Sequence, residues 1–107
     1  MQPNKFLSTL GLARRAGKVN YGFDMVVEGL DKTGVIFFAA DISARSRNSV
    51  SQLAAKKDVP CRDTSFTMLD IAGAIGTKPV GIVGITEAGF TKLLMGESEK
   101  MIGGKPL

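Results

Sequence analysis

Residues 10–29 read LGLARRAGKVNYGFDMVVEG and are followed by the apolar run VIFFAA at 35–40 and by Asp41. This stretch predicts the end of a helix with two arginines, a short strand closed by Gly22, the start of a second helix and then a buried strand. A helix start beside basic residues offers backbone N–H groups to an anion. The stretch therefore predicts an α/β fold and a place where a polyanion could bind.

The rest of the chain continues this alternation of helices and strands. Apolar spacing, cap residues and glycines predict helices over residues 4–16, 23–32, 43–57, 65–75 and 86–96, with Asn4, Ser43, Ser65 and Thr86 as caps. Leu69 and Leu93 are predicted on the inward faces of the last two helices. Strands are predicted at 18–21, 35–40, 61–63 and 80–85.

The predicted fold class is α/β, a three-layer α/β/α sandwich with a four-stranded mixed, largely parallel sheet. One domain is expected over residues 1–96. Residues 97–107 contain Gly103, Gly104 and Pro106, and they are expected to form a flexible C-terminal tail.

Composition is that of a globular protein. The 107 residues are 44% hydrophobic and 22% charged, which suffices for one core without metal or disulfide support. The single cysteine, Cys61, forms no internal disulfide, which favours a reduced, cytoplasmic location. The six-residue run at 35–40 is too short to cross a bilayer, and no signal peptide is evident. We therefore expect a soluble protein with no membrane partner.

The net charge of +4 is distributed unevenly along the chain. Residues 1–18 hold four basic residues and no acidic one, residues 19–41 hold four acidic residues and one basic one, and residues 42–57 again hold four basic residues and no acidic one. Basic segments that fold onto one face indicate a nucleic-acid partner. An ordinary solvated surface is the alternative, which charge alone does not exclude.

Catalytic residue patterns are scarce. The sequence has no histidine, so it lacks the commonest general base, a Cys–His pair and the usual zinc sites. Asp41 and Asp63 each end a predicted strand, where a phosphorylated aspartate or a magnesium site could lie, but turn and cap roles are commoner for such residues. No phosphate-binding glycine motif occurs in a strand–loop–helix context. We predict that the protein is not an enzyme and needs no metal or cofactor.

Three basic residues lie at loop ends where an anion could approach. Arg45 and Arg47 fall in the first turns of the third predicted helix, where the helix dipole disfavours cations. Lys78 precedes Pro79 in the loop before the last strand. These observations alone favour two interpretations equally: the basic residues are exposed charges without a partner, or they form an anion site.

Four segments in this order resemble the kink-turn-binding ribosomal protein family, which includes large-subunit and snoRNP proteins of archaea and eukaryotes. They are LGLARRAGKVNYG at 10–22, FFAADIS at 37–43, VPC at 59–61 and GIVGITEAGF at 81–90. The resemblance runs from Phe6 to Leu94 and is strongest to the small bacterial YlxQ-like branch. It implies an α/β/α sandwich that recognises RNA with one edge.

The base-reading residues of that family have changed in this chain. In the family, the glycine that ends the first strand precedes Thr-Asn-Glu, two variable residues and Lys, and the Asn, Glu and Lys read sheared G·A pairs. Gly22 matches the glycine and Phe23 replaces the threonine. Asp24 lacks the amide donor of the asparagine, Met25 lacks the carboxylate, and Glu28 reverses the charge of the lysine.

At other RNA-contact positions of the family, this chain has residues of a similar type. The resemblance places RNA contacts at Ser43 and Arg47, at Lys78 and Val80, and at Lys18. Phosphate contacts are expected from Lys18, Arg47 and Lys78, with Arg14, Arg15 and Arg45 as further contributors. Phe23 and Val80 are expected to pack on an unpaired base, although Phe23 could instead cover the first helix and Met25 could simply fill a gap.

These observations predict a monomeric, ribosome-associated protein that binds structured RNA, ribosomal RNA included. The alternative is a protein-interaction module that has kept the fold and lost RNA recognition. In that case Phe23 and Met25, with the acidic Asp24, Glu28 and Asp31, would form a patch that avoids RNA.

Overall fold

Helices and strands alternate over residues 4–99, which are the residues that the computed structural model of the protein describes. Within that range the chain forms four strands, five α-helices and a 3₁₀ helix at Leu30–Lys32. The strands are β1 (Val19–Tyr21), β2 (Val35–Phe38), β3 (Cys61–Asp63) and β4 (Ile82–Ile85), and the α-helices are α1 (Lys5–Arg15), α2 (Phe23–Glu28), α3 (Ala44–Ala55), α4 (Met68–Ile75) and α5 (Ala88–Glu99).

The strands form one mixed sheet in the order β1-β4-β2-β3. β2 and β3 are parallel, whereas β4 is antiparallel to both of its neighbours, β1 and β2. Three of the four strands therefore share one direction, as the predicted largely parallel sheet requires, although two of the three pairings are antiparallel. Every residue of the central strands β2 and β4 is buried, which explains their continuous apolar sequences.

Each face of the sheet is covered by its own helices. Alternation along β2 sends Val35 and Phe37 to one face and Ile36 and Phe38 to the other. The first face packs against α1, α4 and α5, through Phe6, Leu10, Ile71, Ile75 and Leu94. The second packs against α2 and α3, through Val26, Val50 and Ala54. The three layers of the predicted α/β/α sandwich are therefore present.

Two helix caps differ from the prediction. α4 is capped by Thr67 and not by Ser65, because Thr67 forms a capping box with Asp70: the Thr67 hydroxyl accepts from the Asp70 N–H at 3.1 Å, and the Asp70 carboxylate accepts from the Thr67 N–H at 3.0 Å. At the start of α5, the Glu87 carboxylate accepts from the Phe90 N–H at 2.7 Å. Glu87, and not Thr86, directly precedes α5 and supplies this hydrogen bond, while the Thr86 N–H pairs with the Lys18 carbonyl.

Several helix ends also differ. The helix predicted over 23–32 is divided: α2 ends at Glu28, and the 3₁₀ helix at Leu30–Lys32 follows Gly29, where a Cβ would lie 2.3 Å from the side-chain nitrogen of Asn20. The helix predicted to end at Gly96 continues to Glu99, where Glu97 accepts a hydrogen bond from the Thr9 hydroxyl at 3.1 Å. Residues 97–99 of the expected tail are thus helical, and residues 100–107 lie outside the described residues.

Leu69 and Leu93 were expected in the core, and this prediction is wrong. Leu69 is 70% exposed and Leu93 is 56% exposed. The buried stripe of α4 begins at Ile71, which is two residues, or about 200° of helical rotation, beyond Leu69. On α5 the adjacent Leu94 is fully buried instead.

Phe6 is expected to be a main determinant of stability. Its ring is 1% exposed, meets Phe37 edge-on at 4.9 Å and stacks on Phe66 at 5.4 Å between ring centroids. Phe6→Ala should lower the free energy of unfolding by about 3–5 kcal/mol, since it leaves a cavity between α1 and the sheet. Leu69→Ala, in the exposed control position, should change it by less than about 0.5 kcal/mol. Urea unfolding followed by circular dichroism measures both, and equal losses would contradict the assigned core.

Candidate nucleic-acid interface

The loops that hold most of the predicted site residues lie at one end of the sheet. β1, β2 and β3 share a direction and β4 opposes them, so the loops that follow the first three strands and the loop that precedes β4 meet at the same end. We call this the loop end. It comprises residues 22–23, 39–43, 64–67 and 76–81.

Backbone hydrogen bonds join these loops into one frame. The Gly22 N–H donates to the Ile82 carbonyl at 2.9 Å, and the Ala39 N–H donates to the Gly81 carbonyl at 2.9 Å. Ile42 packs directly on Gly81, where an added Cβ would lie 3.2 Å from the Ile42 side chain. The start of α2, the segment before α3 and the loop before β4 are therefore held in fixed relation to one another.

Asp41, in the middle of the segment after β2, belongs to the same frame. Its carboxylate accepts a hydrogen bond from the Met68 N–H at 2.8 Å, at the first residue of α4. This is the cap and turn role that is common for aspartate at such a position. The interaction ties the loop after β2 to the loop after β3.

An open groove crosses the loop end beside β1. Its volume is about 610 Å³, and it is lined by Tyr21, Gly76, Thr77, Lys78, Pro79 and Val80. Lys78 is exposed, whereas Val80 is only 9% exposed and forms part of the floor. The Arg14 guanidinium lies 5.3 Å from the centroid of the Tyr21 ring, within the range of a cation–π interaction.

Tyr21 and Arg14 add to the site beyond what the sequence predicted. The sequence placed Tyr21 only within a strand, although an aromatic residue directly before Gly22 was a usable signal. Arg14 was named only as a further contributor. Its packing against Tyr21 comes from the tertiary structure, since α1 and β1 are joined by a short turn at Gly17, which has a positive φ of 75°.

The start of α2 exposes two large apolar side chains beside two acidic ones. Phe23 is 41% exposed and Met25 is 42% exposed, and Asp24 and Glu28 are also exposed. Phe23 therefore does not serve as a core cover for α1. The Met25 sulfur accepts a hydrogen bond from the Tyr21 N–H at 3.5 Å, which engages part of the Met25 side chain.

The start of α3 confirms the predicted cap but differs from the prediction at Arg47. Ser43 caps the helix, and its hydroxyl accepts from the Ser46 N–H at 3.2 Å. Arg45 is exposed, but Arg47 is not a free cation. Its Nε donates to Asp63 Oδ1 at 2.7 Å and its Nη2 donates to Asp63 Oδ2 at 2.6 Å. This pair could not be predicted from the sequence, because it depends on the register that sets Asp63 beside Phe38.

The pKa values of nearby groups follow from these contacts. The hydrogen bond from Arg47, together with its positive charge, lowers the pKa of Asp63. The same hydrogen bond and the carboxylate charge raise the pKa of Arg47. Burial raises the pKa of the Cys61 thiol, which makes it a poorer nucleophile at neutral pH.

Lys18 lies at the other end of β1 from Gly22. Its carbonyl accepts from the Thr86 N–H at 2.9 Å, beside the start of α5. The four residue steps between Lys18 and Gly22 correspond to about 13 Å of extended strand. The structure thus gathers Gly22, Phe23, Ser43, Arg47, Lys78 and Val80 at or beside the loop end, places Asp24, Met25 and Glu28 on the adjoining α2, and leaves Lys18 apart.

Residues 4–99 hold no group of three or more His, Cys, Asp or Glu side chains placed to bind a metal ion. In the part of the chain that the structure describes, no helix has the length and apolar character needed to span a membrane.

Comparison with known proteins identifies the fold but no family. No protein-family model matches the chain, and no curated protein sequence matches it. A protein of unknown function from Bacillus halodurans C superposes with a TM-score of 0.83 at 22% identity, over 91% of this chain and 99% of that one. The Giardia lamblia 15.5kD RNA binding protein superposes with a TM-score of 0.73 at 13% identity, over 90% of this chain and 86% of that one. The chain shares its fold with an RNA-binding protein.

The Arg47–Asp63 pair gives a testable pH dependence. The pKa of Asp63 in the folded protein is lower than its ordinary value of 3.8, so the pair stabilises the fold above that pH and loses this effect as the pH falls through the folded pKa. The stabilisation should stay below about 1 kcal/mol, since the two side chains are 40% and 61% exposed. Arg47→Met should raise the pKa of Asp63 toward 3.8, as measured by carboxyl NMR titration.

Lys57→Met is the control for this measurement. Lys57 pairs with Asp31 at 2.9 Å in another part of the structure, so its loss should leave the titration of Asp63 unchanged. An unchanged Asp63 titration in Arg47→Met would show that the bidentate pair does not form in solution.

Proposed function

We propose that this chain is a non-enzymatic, cytoplasmic RNA-binding protein that associates with the ribosome as a monomer and recognises structured RNA through the loop end. The observation that carries the proposal is the convergence of four loops on one frame, with a groove, exposed cations and an exposed aromatic ring. The shared fold with the Giardia lamblia 15.5kD RNA binding protein supports RNA as the class of partner. The target we propose is an RNA with a kinked internal loop.

Phosphate groups would be bound by the exposed cations around the loop end. Lys78 stands at the rim of the groove, and Arg45 lies in the first turn of α3. Arg15 and Lys18 are also exposed, but Lys18 lies at the other end of β1, so it would contact only an RNA that extends about 13 Å beyond Gly22. Such contacts position an RNA without reading its sequence.

Bases would be bound in and beside the groove. The exposed ring of Phe23 offers a stacking surface, and Val80 with Tyr21 offers an apolar floor and wall for a base that has left its helix. Because backbone hydrogen bonds already hold the loops together, little ordering is needed when the RNA binds.

The changed residues of α2 alter which RNA is bound. Asp24 and Glu28 place negative charge where the family would present an amide donor and a cation, and the Met25 sulfur is engaged by the Tyr21 N–H. Standard sheared G·A pairs would therefore be bound weakly. Recognition would shift to the groove and to the start of α3.

A protein-interaction module is the second candidate. It is favoured by one observation, the adjacent exposed side chains of Phe23 and Met25 between the acidic Asp24 and Glu28. A partner protein with an apolar and basic surface would match that patch, whereas RNA would be repelled by its charge. The salt dependence of RNA binding distinguishes the two functions.

RNA binding should weaken steadily with salt. With about three to five phosphate contacts, log K against log salt should have a slope of roughly −2 to −4 for a kink-turn RNA, measured by fluorescence anisotropy. Lys78→Ala should make this slope less steep by about 1. Lys92→Ala, an exposed lysine of α5, is the matched control and should leave the slope unchanged. Failure to bind at low salt would refute RNA binding and favour the protein-interaction module.

Restoring the family residues on α2 should restore kink-turn recognition. The triple variant Asp24→Asn, Met25→Glu and Glu28→Lys should bind a kink-turn RNA at least about tenfold more tightly than the unmodified chain, or about 1.4 kcal/mol. A plain duplex of equal length is the control RNA, and it separates base recognition from the added positive charge. Equal gains on both RNAs, or no gain at all, would contradict the assignment of these positions.

A further inference from the structure

Arg47 holds one edge of its guanidinium against Asp63 and leaves the other edge free. Of its five N–H groups, one on Nε and one on Nη2 donate to the carboxylate. Nη1 makes no hydrogen bond to any residue in 4–99, and the side chain is 40% exposed. The edge formed by Nη1 and the second Nη2 hydrogen therefore points away from Asp63 with paired donors available.

The guanidinium is held in place before any ligand arrives. Its carbon lies 5.4 Å from the centroid of the Phe38 ring, which is fully buried at the end of β2. Asp63 ends β3 in register with Phe38, so both contacts of Arg47 come from neighbouring strand ends. A planar donor fixed from two sides loses little conformational freedom when it binds a partner.

The charge of the pair indicates what its free edge can bind. Asp63 neutralises the guanidinium at hydrogen-bond distance, and its carboxylate would repel an approaching phosphate. A neutral group with two adjacent acceptors suits the free edge better. In RNA, the O6 and N7 atoms of guanine have this arrangement, and arginine donates to both in its commonest base-specific contact.

We propose that Arg47 reads an unpaired guanine of the bound RNA through the Nη1–Nη2 edge, with Asp63 as the residue that positions it. The inference rests on the proposed RNA binding and names a base-specific contact within it. The guanine has to be unpaired or irregularly paired, because the deep, narrow major groove of an A-form helix hides O6 and N7 from side chains. Arg47 therefore contributes specificity, while Lys78 and Arg45 contribute phosphate contacts.

The test uses a pool of hairpin RNAs with a randomised internal loop. RNA retained by the unmodified protein should show a guanine-to-adenine ratio of about ten or more at one loop position, since adenine replaces the O6 acceptor with a donor. The selected RNA made with 7-deazaguanine at that position should bind about tenfold more weakly, because it lacks N7. Arg47→Lys keeps the positive charge but loses the paired donors of the guanidinium. It should bring the guanine-to-adenine ratio and the affinity ratio between guanine and 7-deazaguanine close to one, while the slope of log K against log salt stays the same.

Asp63→Asn separates positioning from charge. This change removes one negative charge at the loop end, so if Arg47 bound phosphate, the variant would bind every RNA more tightly and its base preference would not change. A positioned Arg47 would instead lose its preference for guanine over 7-deazaguanine. Asp31→Asn is the matched control, because it makes the same change of charge at the Lys57 pair and should leave the preference intact.

The outcomes also separate this inference from the proposed function. Failure of the unmodified chain to bind any of the hairpins would refute both. Binding with no guanine preference, or a preference that survives both Arg47→Lys and Asp63→Asn, would refute the role of Arg47 and leave RNA binding in place. Thermal unfolding of each variant, with a midpoint close to that of the unmodified chain, ensures that the ratios report on the site and not on folding.

Discussion

The reversed direction of β4 is the constraint on which the rest of the structure depends. β4 pairs antiparallel with β1 on one side and with β2 on the other, so the loop that precedes it reaches the same end of the sheet as the loops that follow β1 and β2. The hydrogen bonds from Gly22 to Ile82 and from Ala39 to Gly81 extend those pairings beyond the strands. The frame of the candidate site is thus a continuation of the central sheet, and its rigidity has the same source as that of the core.

Much of this fold could be predicted from the sequence, and the errors lie in helix caps, helix ends and the faces of two helices. The runs VIFF in β2 and IVGI in β4 are continuously apolar because they are buried on both faces, and this pattern is readable without a structure. The caps of α4 and α5 were not predictable in the same way. Ser65 and Thr86 are residue types that commonly cap helices. In the structure, α4 is instead capped by Thr67 through its capping box with Asp70, and the Thr86 N–H is hydrogen-bonded to the Lys18 carbonyl.

The sequence predicts which residues lie near the candidate site, but it does not predict which of them form hydrogen bonds or ion pairs with one another. The resemblance located Gly22, Phe23, Lys78 and Val80, and the structure brings them around a shared frame. It could not reveal that Arg47 is paired, because Asp63 lies sixteen residues away and meets it only through the β2–β3 register. Sequence patterns report which residue types lie near a surface, whereas the pairing of charges depends on tertiary contacts.

Because the pairing of charges depends on tertiary contacts, the net charge alone is a poor guide to the partner. The chain has a net charge of +4, yet at the loop end Asp63 neutralises Arg47, and Asp24 and Glu28 lie on the adjoining α2. A surface of this kind attracts a polyanion less strongly than the count of basic residues implies, because each paired cation releases fewer counterions from RNA. For the RNA binding proposed above, affinity would then have to come from the shape of the groove and from contacts to bases, which depend on the RNA fold. Under that proposal, the reduced charge at the loop end favours selection of one RNA structure over general binding to nucleic acid.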